Sequence, residues 1–442
     1  MKKIKIFIIS TVFAFMLAQD SYNADLVGNW FGPNENYWSE YVSDFNDIWG
    51  YESSTGIKYA LMGGWDGTYI IDISTNPENP ELVSFVPGAP SSHRDVKTFE
   101  NFMYVGTEAN MPDPDLYEQG EYYVAPQGIQ VVDITDPSVP ILVGEWDGVV
   151  QSHNIMNGDG YLYVIGSNDE YSNNGEMEAW GLDDLIILDV ATDPSSPEKV
   201  GGWSGVYLHD VCIYGDILYG CDIYNDNMYA FDISDKTNPT VITSWPGISH
   251  AHSCWVSEDG NTLFTGSETT GGHIMSWDVS DLSNIGYLDE WLPPEGEYWS
   301  AHNVFVLGQR LYISYYVYGL QVLDISDPAN LQLAAYYDTF DQETESIYNG
   351  AWGAYPFFGS DEVLVSDRRT GLYVIDVHND GLQLGDVNQD NDVNIMDIIT
   401  LVDFVLENSI PTDLEISLSD IDYSGELDVL DVIGLVNLIL DS

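Results

Sequence analysis

One segment recurs seven times along this chain: an apolar strand that ends in Asp, then a β-branched residue and a turn. It occurs as Tyr69-Ile-Ile-Asp72-Ile-Ser, Gln130-Val-Val-Asp133-Ile-Thr, Ile186-Ile-Leu-Asp189-Val-Ala and Tyr229-Ala-Phe-Asp232-Ile-Ser. Met275-Ser-Trp-Asp278-Val-Ser, Gln321-Val-Leu-Asp324-Ile-Ser and Tyr373-Val-Ile-Asp376-Val-His complete the series. The aspartates lie 43 to 61 residues apart, which fits a four-stranded propeller blade of about 40–50 residues with loop insertions. Such a unit cannot bury its apolar face alone and must stack on its neighbours. The repeat predicts an all-β, seven-bladed propeller over residues 25–380.

The remaining strands can be placed around this one. Segments such as Tyr161-Leu-Tyr-Val-Ile-Gly166 and Arg310-Leu-Tyr-Ile-Ser314 precede it across Gly-containing turns. A Pro-rich turn such as Asp136-Pro-Ser-Val-Pro140 follows, then a strand ending in Trp, Ile141-Leu-Val-Gly-Glu-Trp146. Asp hydrogen-bonds its own backbone and Pro presets φ, so both are expected as turn formers rather than catalysts. The seventh copy lacks its outer strand, whereas Leu26-Val-Gly-Asn-Trp30 matches Leu142-Val-Gly-Glu-Trp146. Residues 26–30 are therefore expected to complete the last blade and close the ring.

The repeats resemble those of the LVIVD-repeat proteins, in particular the choice-of-anchor B family of exported bacterial proteins. The resemblance is also carried by Asn46-Asp-Ile-Trp-Gly50, Tyr59-Ala-Leu-Met62, Asp66-Gly-Thr68 and Arg94-Asp-Val-Lys97. It implies a propeller joined to one of several C-terminal attachment devices, and no known reaction.

Charge narrows the function classes. With 11 Lys+Arg against 72 Asp+Glu the formal net charge is −61, which repels phosphate backbones and anionic lipid. No nucleic-acid partner is expected, whereas cation binding suits the chain. At the N-terminus, Lys2, Lys3 and Lys5 precede an apolar run from Ile6 to Leu17, and Ala18 offers a cleavage point. Residues 1–18 read as an export signal, with an uncleaved anchor as the competing reading. No later stretch has the length of a membrane span, so an extracellular, cell-surface or periplasmic location is expected. Cys212, Cys221 and Cys254 allow one disulfide and one free thiol, with no connectivity specified.

The candidate chemistry lies where the innermost strand of each blade begins. A polar pair recurs there as Asn46-Asp47, Arg94-Asp95, His153-Asn154, His209-Asp210, His252-Ser253 and His302-Asn303, and the seventh copy departs with Trp352-Gly353. Radial repetition converges four imidazoles on one channel mouth, with His93 and His250 close by in sequence. Neutral imidazole suits Zn, Cu or Fe, so a transition-metal or small-ligand site is one reading. Propellers of the selenium-binding-protein and methanethiol-oxidase type are similar in using channel histidines for a metal. A polar ring around channel water is the competing reading, and Arg94 would oppose a cation unless Asp95 or Asp210 neutralised it. No nucleophile-elbow, zincin, P-loop or dinucleotide motif occurs.

From Leu384 the composition changes, with no Lys or Arg and helical periodicity replacing strands. Asp386, Asn388, Asp390, Asn394 and Asp397 occupy positions 1, 3, 5, 9 and 12 of a calcium loop, with Asp392 at position 7. Asp420, Asp422, Ser424, Asp428 and Asp431 repeat the plan, with Glu426 at position 7. Two calcium ions are expected, each loop running into one apolar helix, Ile398–Leu406 and Val432–Leu440. A duplicated loop-helix with Asp at position 12 resembles a type I dockerin over residues 384–442. That resemblance implies a cohesin-like or cell-surface receptor and association with polysaccharide degradation. Positions 10 and 11 are Ile395-Met396 and Val429-Leu430, where dockerins often carry hydroxyls. The leading functional reading is a non-catalytic exported binding module. The alternatives are a metal-dependent oxidase using the histidine ring, or a carbohydrate-active protein.

Overall fold

The computed structural model describes residues 21–32, 45–108, 128–167, 183–294, 296–340, 344, 346–359, 361–378, 385–388, 393–406, 408–409, 411, 413–421 and 427–441. Its body is a propeller of seven antiparallel sheets. The innermost strands are Phe45–Glu52, Arg94–Phe99, Asn154–Gly158, Asp210–Tyr214, Ala251–Val256, Val304–Leu307 and Ala351–Tyr355, in blades one to seven. Each recurring strand that ends in Asp is third from the centre. Central strands read as continuous apolar runs because both faces are covered. Ile186, Ile187 and Leu188 are all fully buried, as expected where blades pack face to face. Outer strands alternate instead, Ile141–Trp146 being largely exposed.

The last sheet is discontinuous in sequence. Ala24–Trp30 pairs antiparallel with Gly371–Val377, Leu26 opposite Ile375 and Trp30 opposite Leu372. Just before it, Ser21 and Tyr22 pair with Tyr337 and Tyr336 as a fifth strand of blade six, which the repeat pattern did not indicate. The N-terminal segment thus bridges two blades.

The repeated aspartates are turn formers. Asp72 Oδ1 accepts from the backbone N–H of Ser74 and Thr75 at 3.0 and 2.9 Å, while Oδ2 accepts from the Thr75 hydroxyl. Asp133, Asp189, Asp232, Asp278 and Asp324 each accept from the N–H two residues on. The turn that follows also docks on the preceding blade. The Pro137 carbonyl accepts from Ser84 at 2.6 Å, Pro194 from Tyr104 at 2.7 Å and Pro328 from Ser276 at 2.6 Å. These turns therefore join blades as well as strands.

In the acidic tail, helices cover Ile395–Val405, Asp413–Ser419 and Val429–Asp441. Two of them begin three residues earlier than the apolar periodicity suggested. At the first, Asn394 caps the helix and its side chain accepts from Met396 N–H at 2.8 Å. The short helix Asp413–Ser419 between them was not anticipated. Val387, Leu401, Phe404 and Leu435 form a small core. Among the described residues, no helix is long and apolar enough to cross a membrane. Residues 1–18, expected to form an export signal, lie outside the described residues.

Candidate metal centre at the channel mouth

Strand alternation decides which side chains reach the channel. In blade two, Asp95 and Lys97 point inward with His93, because successive residues of a strand face opposite ways. Arg94 therefore points away. Its Nε donates to the Gly64 carbonyl at 3.0 Å and its Nη2 to Ala89 at 2.6 Å. This corrects the expectation that Arg94 would intrude on the imidazoles; His93 takes that place. His250 is exposed, its N–H donating to Asp226, and stands outside the ring.

Five imidazoles and one indole make a closed circle. Ring centroids are separated by 5.4 Å from His93 to His153, 4.0 Å to His209, 4.3 Å to His252 and 4.4 Å to His302. Trp352 closes it at 4.5 Å from His302 and 5.0 Å from His93. Blade one contributes no ring; Asn46 instead donates to the Ser92 carbonyl at 3.2 Å. Ligand atoms of His153, His209 and His252 all lie within 4.8 Å of one another, as do those of His252, Glu268 and His302.

Hydrogen bonds orient these imidazoles. His252 Nδ1 is 3.1 Å from the His302 carbonyl, and His302 Nδ1 is 2.5 Å from the Trp352 carbonyl. A carbonyl only accepts, so each Nδ1 carries the proton and each Nε2 keeps a free lone pair. This outer-shell arrangement is the one that prepares metal-ligating histidines. Burial holds His209 and His302 well below the ordinary imidazole range, and lowers His252. His93 is pushed down to about 4, also by burial. These side chains are neutral at pH 7, the form that binds metals.

Two carboxylates flank the circle. Glu108 reaches His153 Nδ1 at 2.7 Å and His93 Nδ1 at 3.1 Å. Burial would raise Glu108, but the neighbouring imidazoles overcome that and hold it down at about 2. Burial would lower His153, but Glu108 outweighs it and the net shift is upward. On the other side, Glu268 lies 3.5 Å from His252 Nε2 and accepts from the Tyr316 hydroxyl at 2.6 Å. Neither glutamate was singled out from sequence. A signal existed, since Gly106-Thr-Glu108 and Gly266-Ser-Glu268 occupy equivalent positions after the second strand.

The imidazoles and Trp352 line a cavity of about 40 Å³, together with Asp47, Asp95, Asn154, Asp210 and Asn303 among others. That is room for an ion with a few waters. Lys97 donates to Asp95 at 2.5 Å and to Asp47 at 3.1 Å. Asp95 also accepts from Ile155 N–H at 2.6 Å, so this network ties three blades together. Burial pushes Asp210 well above the usual carboxylate range. His209 Nδ1, Asn154 Oδ1 and Asn303 Oδ1 are buried without hydrogen-bond partners in the protein. Buried polar atoms of this kind call for water or an ion.

In the tail, the position 12 carboxylates Asp397 and Asp431 are fully buried, as is Asp386. Asp397 accepts from the N–H of Asn388 and Asn394 at 3.0 and 2.8 Å. Asp431 accepts from Ile421 and Asp428 at 2.9 and 2.8 Å. Both loops thus close on their last carboxylate, through the position 9 N–H in each and through position 3 in the first and position 2 in the second. Asp390, Asp392, Asp422, Ser424 and Glu426 lie outside the described residues.

Two stretches of the chain match a known repeat. Residues 119–148 and 300–339 match the LVIVD repeat. The second match spans all of blade six between Val304 and Tyr337. No curated protein sequence matches the chain. A periplasmic gluconolactonase of Pseudomonas aeruginosa superposes with a TM-score of 0.51 at 13% identity, covering 74% of this chain and 90% of that one. A putative 6-phosphogluconolactonase of Bacteroides uniformis does so with a TM-score of 0.51 at 11% identity, covering 75% and 92%. At such identities the likeness is one of fold.

Proposed function

We propose that this chain is an exported binding propeller whose channel mouth takes one divalent transition-metal ion through His153, His209 and His252, with His302 and Glu268 beside them. The observation that carries this reading is the fixed tautomer of His252 and His302, whose Nδ1 atoms are held by carbonyls of the next blade. Water needs no such preparation, whereas metal ligation does. Three nitrogen donors near an acidic pair suit Zn, Cu or Fe more than Ca or Mg, which prefer oxygen. The small cavity favours an ion over a carbohydrate in the channel. The tail is proposed to hold two calcium ions and to attach the propeller to a cohesin-like or cell-surface receptor. Its supporting feature is a duplicated apolar face: Ile395, Met396 and Ile399 on one helix, and Val429, Leu430 and Ile433 on the other, all more than half exposed.

Metal analysis of the full chain tests this. One transition metal per chain is expected, lost in His209→Ala and His252→Ala, with two calcium ions retained in both variants. A full chain that takes up no zinc, copper or iron in stoichiometric amount would leave the water-filled polar ring as the correct reading. Turnover of a thiol by the metal-loaded chain, absent from the His252→Ala variant, would move the site to the oxidase class.

A further inference from the structure

Beneath the imidazoles, three buried thiols come together. Cys212 lies on the innermost strand of blade four, Cys221 on the second strand of that blade and Cys254 on the innermost strand of blade five. Cys254 Sγ is 2.9 Å from Cys212 Sγ and 3.7 Å from the Tyr219 carbonyl. Unbonded carbon atoms already rest about 3.5–4.0 Å apart, and sulfur is larger. Two thiolates sharing a tetrahedral zinc at about 2.3 Å each would stand roughly 3.7 Å apart. The observed separation is therefore too close for independent thiols or for a shared metal.

We infer that Cys212 and Cys254 form a disulfide that joins the innermost strands of blades four and five, leaving Cys221 as a buried thiol. The bond requires the sulfurs to approach to about 2.05 Å, a movement within the reach of side-chain rotation. The export pattern at the N-terminus suits such a bond, since disulfides persist in oxidising compartments. The chemistry is thiol–disulfide exchange with an external disulfide as oxidant, before blade five docks on blade four. Cys254 serves as the first nucleophile after losing its proton to solvent. It attacks one sulfur of the external disulfide and releases the other as thiolate. Cys212 then loses its proton to solvent and attacks the Cys254 sulfur, expelling the second external thiol. Two protein thiols are oxidised and one external disulfide is reduced.

The position gives the link a purpose that does not depend on the metal proposal. Inner strands of adjacent blades share no ladder, so only side chains hold their spacing. His209 and His252 stand on the approaches to these two cysteines with ring centroids 4.3 Å apart. A covalent bridge below them fixes that separation.

The full chain, folded in a buffer of oxidised and reduced glutathione, is denatured, alkylated without further reductant and digested for mass spectrometry. One alkylated cysteine per chain, at Cys221, and a linked peptide containing Cys212 and Cys254 are expected. The Cys221→Ser variant should keep the link and lose the last free thiol. Adding reductant should lower its Tm by several degrees. Three alkylated cysteines in the wild-type chain, or a linked peptide containing Cys221, would overturn the inference. So would a Cys221→Ser variant whose two remaining thiols both alkylate.

Discussion

Burial makes the channel histidines what they are at the scale of single residues. His93, His209 and His302 are all shifted down by desolvation, so the folded chain refuses protons that the unfolded chain accepts. Their contribution to stability is complete above about pH 6.5, the ordinary imidazole value, and drains away as the pH falls below it. Metal-free protein should therefore lose Tm progressively from about pH 6.5 toward pH 4.5, and a His209→Gln variant should show a shallower slope. Identical slopes would mean that His209 is not held neutral. Glu108 acts through His153, whose affinity for a proton it raises. A binding ion competes with that proton, so metal binding should weaken as the pH falls and His153 takes up its proton. Replacing Glu108 with Gln should weaken metal binding by about 10–100-fold, the usual effect of losing a supporting partner. It should also flatten the pH dependence of binding, as isothermal titration in two buffers would reveal.

At the scale of the element, the outer strands carry an irregularity in every blade. Pairing between the third and outer strands shifts by one residue in all seven sheets. Such bulges bend the strand and sharpen its twist. In three blades a glycine follows the extra residue, and its surroundings differ. A Cβ on Gly28 would lie 1.9 Å from the Pro77 carbonyl oxygen, and one on Gly201 at 1.9 Å from that of Lys236. One on Gly144 would meet nothing within 4 Å. The first two lie under the Asn76-Pro77 and Asp235-Lys236 turns of the next blade, where backbone must approach backbone. Gly28→Ala and Gly201→Ala should each cost about 1–3 kcal/mol by overpacking, while Gly144→Ala should stay within about 0.5 kcal/mol. Chemical denaturation of the three variants separates these outcomes, and equal stabilities would refute the turn-on-bulge packing.

For the whole molecule, closure of the ring depends on a segment more than three hundred residues away in sequence from its partner strand. Deleting residues 19–31 removes the outer strand of blade seven and the fifth strand of blade six together, exposing two sheet edges. Its Tm should fall by well over the change seen for any single substitution above, and its tendency to aggregate should rise. A truncated chain that melts like the intact one would show that closure adds nothing. The tail behaves by different physics. Fourteen acids and no basic residue from 384 onward repel one another unless cations neutralise the loops. Chelating calcium from the full chain should therefore melt the tail helices, read as lost helical circular dichroism, while the propeller transition stays in place. Helicity that is unchanged by chelation would sink the calcium-loop proposal.

The repeat alone determined the propeller and its blade number, because seven copies of an apolar strand with a capped end can bury themselves only by stacking in a ring. It also placed the innermost strands and brought His153, His209, His252 and His302 to one mouth, since radial symmetry converts equal sequence positions into equal spatial ones. What the repeat could not decide was side-chain direction. One residue of offset at the start of blade two exchanges Arg94 for His93, because neighbours on a strand face opposite ways. The roles of Glu108, Glu268 and Tyr316 were likewise hidden: Glu108 reaches His153 across a blade boundary, while Glu268 and Tyr316 reach His252 and His302 of their own blades from the loop after the second strand. The second task of the Asp-Pro turns, holding the preceding blade, depended on contacts about fifty residues or more apart. Local pattern dictates each unit; only the closed ring decides which atoms meet between units.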